Sequence, residues 1–290
     1  MRRAAVFACC AAGAVALAGV AGGSFGTGGP ALAAGRDADF ALAGELTQGG
    51  WARGRVPAGA AALTLDGQPV TVAPDGAFLL AFDRDAARTA TLAARLADGS
   101  VLTRRLAVSP RAWKIEHIPL GPKPGTPPSE AFRIRREAEL AQIRAARAID
   151  GHGGGWRQPF IWPAHGRVSG LFGSQRIYNG TPGAYHSGTD IATGAAGTPF
   201  VAPADGVVIL AARSPFTLEG NLLMIDHGMG LNSAFLHCSQ ILVRQGETVK
   251  QGQVIGRIGM TGRATGPHLH WSIKWHDARL DPLLFTGPMR

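Results

Sequence analysis

Gly266-Pro267-His268-Leu269-His270-Trp271 places two imidazoles two residues apart. In an extended strand, residues i and i+2 project from one face, roughly 6–7 Å apart along the backbone, so both rings can address one small object. A metal ion suits such a pair when the rest of the chain supplies further ligands. By itself a His-x-His step also fits core packing or a surface pair, so the reading depends on what else the sequence holds.

A second cluster is His186-Ser187-Gly188-Thr189-Asp190. A histidine and an aspartate joined through a glycine turn can offer nitrogen and oxygen to the same ion, and zinc accepts both in tetrahedral geometry. His186, Asp190 and one histidine of the His268/His270 pair make three protein ligands. Three leave a position for water, as in a catalytic rather than a closed structural zinc site. In Leu231-Asn232-Ser233-Ala234-Phe235-Leu236-His237-Cys238, strand alternation predicts that His237 and Cys238 point to opposite faces. That argues against a Cys-His nucleophile pair and leaves His237 free to partner the activated water. No His-Glu-x-x-His helix is present to supply a glutamate base.

These motifs occur in the order His-Ser-Gly-Thr-Asp, Ala-Phe-Leu-His and Gly-Pro-His-Leu-His-Trp. They are embedded in Gly-Thr-Pro-Phe-Val-Ala-Pro-Ala-Asp-Gly-Val-Val and Gly-Glu-Thr-Val-Lys-Gln-Gly-Gln-Val-Ile-Gly. The last 130 or so residues thereby resemble the lysostaphin-type or LytM-type zinc peptidases of bacterial cell walls. The resemblance implies an all-β chain whose C-terminal antiparallel sheet, a duplicated hybrid motif, carries a groove. It implies zinc held by His186, Asp190 and His270, with His237 and His268 as the catalytic pair that orients water and stabilises the oxyanion. The implied substrate is a peptide bond of peptidoglycan. One departure is the Asn232-Ser233-Ala234 stretch, where many relatives begin the strand of the catalytic histidine with tyrosine; it bears on substrate preference and leaves the metal set complete.

Bulk properties agree. The 290 residues are 46% hydrophobic and 17% charged, which suits a packed globular chain, and 29 Lys+Arg against 20 Asp+Glu give a formal charge of +9. Such a balance favours polyanionic surroundings. With the resemblance, the surroundings expected are the wall or membrane surface, not nucleic acid. The basic start Met1-Arg2-Arg3, the uncharged stretch after it and the small residues Ala31-Leu32-Ala33 predict a signal peptide over 1–33, with a retained anchor as the alternative. The expected location is therefore the periplasm or the extracellular wall. Removal of 1–33 leaves Cys238 as the lone cysteine, read as a small buried apolar residue.

Between 34 and 113, short alternating runs separated by Asp66-Gly67, Pro74-Asp75-Gly76 and Asp98-Gly99 predict a small β-sandwich without clustered titratable groups, a spacer or binding module. Over 114–155, Pro119 to Pro128 predicts a linker, followed by a helix capped by Ser129 and running from Glu130 to Ile149, its arginines on an exposed face. The peptidase domain occupies 156–290. His165, His227 and His276 are read as structural, and Arg176 as a surface residue that could also meet a substrate carboxylate. Two other classes compete. A LytM-like regulator of cell-wall amidases would lose zinc ligands, which this chain retains; a biotin or lipoate carrier needs a displayed attachment lysine, which is absent.

Overall fold

A computed structural model describes residues 40–119 and 129–289. The expected signal peptide and nearly all of the proline-rich stretch lie outside the described residues. Strands dominate, as the short alternating runs and frequent turn glycines predict. Among the described residues no helix is long and apolar enough to cross a membrane.

The N-terminal part holds two antiparallel sheets. Ala41–Gly44, Trp51–Arg55 and Ala77–Ala81 make one, and Gln68–Pro69, Ala60–Leu65, Thr89–Leu96 and Val101–Ala107 make the other. Asp66 and Gly67 both have positive φ, 49° and 79°, as the tight Ala60–Leu65/Gln68–Pro69 hairpin requires. Leu63, Phe78, Leu80, Leu92 and Leu106 are buried within this part.

The C-terminal sheet orders Thr248–Val249, Gly206–Ala211, Asn221–Gly228, Leu231–Cys238, Leu269–Trp275, Thr189–Ala192 and Arg167–Gly170, with Ala278–Leu280 paired to Leu269–Trp275. Its central strands are apolar on both faces, and Ile191, Leu223, Phe235, Leu269 and Trp271 are fully buried. Register decides the site: Asp190 lies directly opposite His270, and Leu236 opposite His270 on the other flank. Directly paired residues of an antiparallel ladder share a face, so Asp190 and His270 must meet.

Two findings differ from the sequence reading. Ile115–Ile118, placed in the linker, forms a strand parallel to Gln175–Tyr178 and extends the edge of the groove. The helix, Glu130–Arg147, is capped as expected by Ser129 Oγ, which accepts from Phe132 N at 3.1 Å. Its basic face is only partly solvated, because Arg136 is turned inward, 18% exposed, and bonded to Glu219 and Glu139. The N-terminal part packs directly on the C-terminal part: Trp51 of the first sheet stacks on Phe285 at 5.0 Å, and Arg111, beyond the Val101–Ala107 strand, pairs with the buried Asp281 at 2.8 Å.

Candidate metal centre and its groove

Asp190 Oδ1 lies 3.1 Å from His186 Nε2 and 2.8 Å from His270 Nδ1, and the two nitrogens are 3.1 Å apart. Ligands about 2.0–2.1 Å from a tetrahedral zinc stand roughly 3.3 Å from one another. Two imidazoles and a carboxylate thus converge at the spacing such an ion spans, and the residues fit it. Among the described residues, this is the cluster of His, Cys, Asp and Glu whose ligand atoms gather in this way.

The surroundings fix ligand form as well as position. His186 Nδ1 donates to the Leu171 carbonyl at 3.1 Å, so the neutral ring carries its lone pair on Nε2 and only the protonated ring donates from Nε2 to Asp190. Burial opposes protonation of His186, but the hydrogen bond and charge of Asp190 outweigh it and raise its pKa. Burial likewise opposes ionisation of Asp190, and the hydrogen bonds from both histidines overcome it, holding the carboxyl well below its usual range. Burial pushes His270 down, towards the neutral form a metal needs.

Two glycines make room for the ligands. A Cβ on Gly170 would overlap Asp190 Oδ2 and approach His186 Cε1 to 3.0 Å, and one on Gly188 would stand 2.7 Å from His270 Nε2. Neither glycine has positive φ, so close approach of the ligands, not turn geometry, excludes a side chain there.

His237 and His268 flank the centre, their rings 4.9 Å apart. Strict alternation would turn His237 away from the face carrying Leu236 and His270. A register shift between Asn221 and Leu223 opposes two residues to one, and His237 takes φ 64°, so Leu236 and His237 both line the groove. His237 Nδ1 sits 2.8 Å from the Thr261 carbonyl, and His268 Nδ1 2.8 Å from that of Gly266. Each neutral ring therefore donates through Nδ1 and presents Nε2 as acceptor. Burial brings His237 down to about 4, so it is neutral at physiological pH. His268 Nε2 is 3.8 Å from Asp190 Oδ1, so both histidines of the opening pair face one carboxylate.

The loop beside His237 is held by the helix. Glu139, nearly buried, accepts from Thr217 N and Oγ1, both at 2.7 Å, while Arg136 bonds Glu219 at 2.6 and 2.7 Å. Glu219 O in turn accepts from His237 N at 2.8 Å, which supports the unusual backbone of that histidine.

The remaining sequence candidates lie apart from the His186, Asp190 and His270 cluster. Arg176 is exposed and pairs with Glu116 at 2.9 Å on the groove rim. His227 is fully buried between the Asp205 carbonyl and Ser233 Oγ, at 2.9 and 2.8 Å. His165 and His276 are exposed. Cys238 is buried, its thiol pushed up to about 12 by burial. Sequence reasoning missed Gly170, Glu139 and the three carbonyls that orient the imidazoles. Gly170, a glycine within a strand, carried a readable signal of close approach; backbone carbonyls carry none.

A family model described as Peptidase family M23 matches residues 184–282, a span that contains all five residues of the centre. A crystal structure of a peptidase M23 protein from Pseudomonas aeruginosa is 31% identical, with a TM-score of 0.62; the alignment covers 84% of this chain and 96% of that one. Peptidoglycan DD-endopeptidase ShyA of Vibrio cholerae is 43% identical over 108 residues, 37% of this chain and 24% of the relative. Peptidoglycan DD-endopeptidase ShyC of the same organism is 43% identical over 117 residues, 40% of this chain and 26% of the relative. The chain spans about a quarter of the length of these curated relatives.

Proposed function

Because the chain belongs to peptidase family M23, we propose that it is a zinc-dependent endopeptidase hydrolysing peptide crosslinks of bacterial peptidoglycan. The observation that carries this is the convergence of His186, Asp190 and His270 beside two histidines that present Nε2 to the same groove. The substrate class is supported by the relatives, whose names specify peptidoglycan DD-endopeptidase activity.

His186, Asp190 and His270 would hold the zinc. When bound, zinc supplies Lewis acidity to the scissile carbonyl and lowers the pKa of water. His237, neutral with a free Nε2, accepts the proton of the attacking water and returns it to the leaving amine. His268, held at Nδ1 by Gly266, donates through Nε2 to the developing oxyanion when it carries the proton there. The bulge at His237 and the strand start at Leu269 fix both rings on rigid elements, so they need little reorganisation as charge develops.

A regulator without catalysis would have no need of the complete donor set, and here all three ligands are present at bonding spacing. A peptidoglycan substrate supports a location in the periplasm or the extracellular cell wall, for which the apolar start would serve export. The test is digestion of purified peptidoglycan by the metal-loaded chain, with muropeptides identified by mass and a chelator control. Metal-dependent loss of crosslinked muropeptides supports the proposal; intact crosslinks with metal bound overturn it.

A further inference from the structure

Among the described residues the ligand cluster lies wholly in the C-terminal part, yet one residue of the sandwich reaches the turn beside it. Arg84 follows the Ala77–Ala81 strand, and its side chain is 7% exposed. Its Nε and Nη2 donate to the Gly173 carbonyl at 3.3 and 3.0 Å, and Nη2 also donates to Gln175 Oε1 at 3.1 Å. Nη1 pairs with Asp85 at 2.7 Å. The guanidinium lies over Tyr185 at 4.7 Å and Trp113 at 5.3 Å. A buried cation is costly unless its donors are met, and here the Nε and Nη2 side of the fork is spent on one short turn.

That turn wraps a metal ligand. Leu171 O accepts from His186 Nδ1 at 3.1 Å, Gly173 N donates to His186 O at 2.8 Å, and His186 N donates to Ser174 O at 2.8 Å. Gly173 has φ 80°, and a Cβ on it would overlap the Trp113 ring, so the tryptophan presses directly on the turn. Gln175 Nε2 extends the strap to Gly183 O at 2.7 Å, three residues before His186. The ligand is therefore gripped at its side chain and at both backbone groups by a segment whose central carbonyl and neighbouring amide are held by Arg84.

We infer that Arg84 is a positioning residue for the metal ligand His186, so that the N-terminal sandwich sets metal affinity. This rests on the zinc reading of the site. A second arginine provides the contrast. Arg53 also joins the sandwich to the C-terminal part, stacking on Trp51 and donating to Gln158 O at 2.8 Å, but among the described residues Gln158 bonds Asp205 N and Gly155 O, neither on a ligand-bearing segment.

The experiment uses the full chain with Arg84→Met, Arg84→Lys and Arg53→Met. Zinc affinity is read by chelator competition, site geometry by the visible spectrum of the cobalt-substituted protein, and folding by near-UV circular dichroism. Arg84→Met is expected to fold, to bind zinc about 10–100-fold more weakly, the usual cost of losing support behind a ligand, and to show an altered cobalt spectrum. Arg53→Met is expected to keep wild-type affinity and spectrum. Wild-type affinity in Arg84→Met, or an equal loss in Arg53→Met, overturns the inference. If Arg84→Met does not fold, Arg84→Lys decides by the same readouts: it keeps the charge and loses the fork, so weakened binding supports the inference and unchanged binding overturns it. A wild-type chain that binds no zinc defeats the metal reading itself, an outcome distinct from variants that bind as well as wild type.

Discussion

His237 Nδ1 stands 2.8 Å from the carbonyl oxygen of Thr261, which commits the neutral imidazole to the tautomer with its lone pair on Nε2. His237→Ala should therefore leave the proposed metal-holding set of His186, Asp190 and His270 intact and lose about 10²–10⁴-fold in turnover, the usual scale for one acid-base group. Metal analysis beside a crosslink-cleavage assay checks this. Near wild-type turnover would remove His237 from the reaction.

His268 and His270 stand two residues apart and face the same carboxylate at 3.8 and 2.8 Å, yet they should fail differently. His270→Ala removes a ligand and should release most zinc and abolish hydrolysis. His268→Ala should retain near-stoichiometric zinc and lose roughly 10²–10⁴-fold in turnover. Equal zinc loss in the two variants would make both of them ligands.

Gly170→Ala introduces a methyl group into space occupied by Asp190 Oδ2. The fold should survive, since Gly170 ends a strand and does not have positive φ, but the carboxylate must move. Zinc affinity should fall by at least about tenfold, the lower end for disturbing a ligand's support. Calorimetric titration of zinc into the folded variant is the check, and wild-type affinity would show that the ligands yield without cost.

Glu139 and Glu130 lie on one helix and pair with arginines, but only Glu139 is buried. Glu139→Ala leaves the Thr217 amide and hydroxyl without their acceptor while Arg136 keeps Glu219, and should cost about 1–3 kcal/mol. Glu130→Ala breaks an exposed pair with Arg133 and should cost about 0–1 kcal/mol. Urea unfolding of both variants tests the difference; similar losses would mean that the helix does not clamp the 215–219 loop.

Burial holds His227 and His237 at about 4, below the ordinary 6.5, so the unfolded chain takes up protons before the folded one. Their contribution to stability is complete above 6.5 and is lost as pH falls from there towards 4. In the metal-free chain each adds up to about 1.4 kcal/mol per pH unit to the slope of unfolding free energy in that window. His186 runs the opposite way: with its pKa raised by Asp190 against burial, its contribution is present below 6.5 and fades as pH rises. His227→Asn should reduce the acid slope by about one proton. Chemical denaturation at several pH values measures it, and an unchanged slope would show that His227 titrates normally in the fold.

The two clusters, His268/His270 and His186/Asp190, were legible because their spacing is local, whereas the choice of His270 over His268 and the roles of His237 and His268 came from the family resemblance. His-x-His and His-x-x-x-Asp are short-range spacings, and the period of a strand brings residues two apart to one face. The strands, the Asp-Gly hairpin and the Ser129 cap were readable for the same reason, since each depends on neighbours within a few residues. What the sequence alone left undecided was everything carried by register and long-range contact. Asp190 meets His270 because two strands 80 residues apart pair in that register, and His237 turns to the groove because a bulge overrides alternation. Arg136 looked like one more solvated arginine until Glu219, 83 residues away, was beside it. Arg84, in the N-terminal part, reaches the turn around His186 across 89 residues to Gly173. Local spacing determines which side chains could bind an ion; only the packed sheet determines which carbonyls, glycines and distant charges hold them, because those contacts are set by non-local pairing that leaves no periodic trace along the chain.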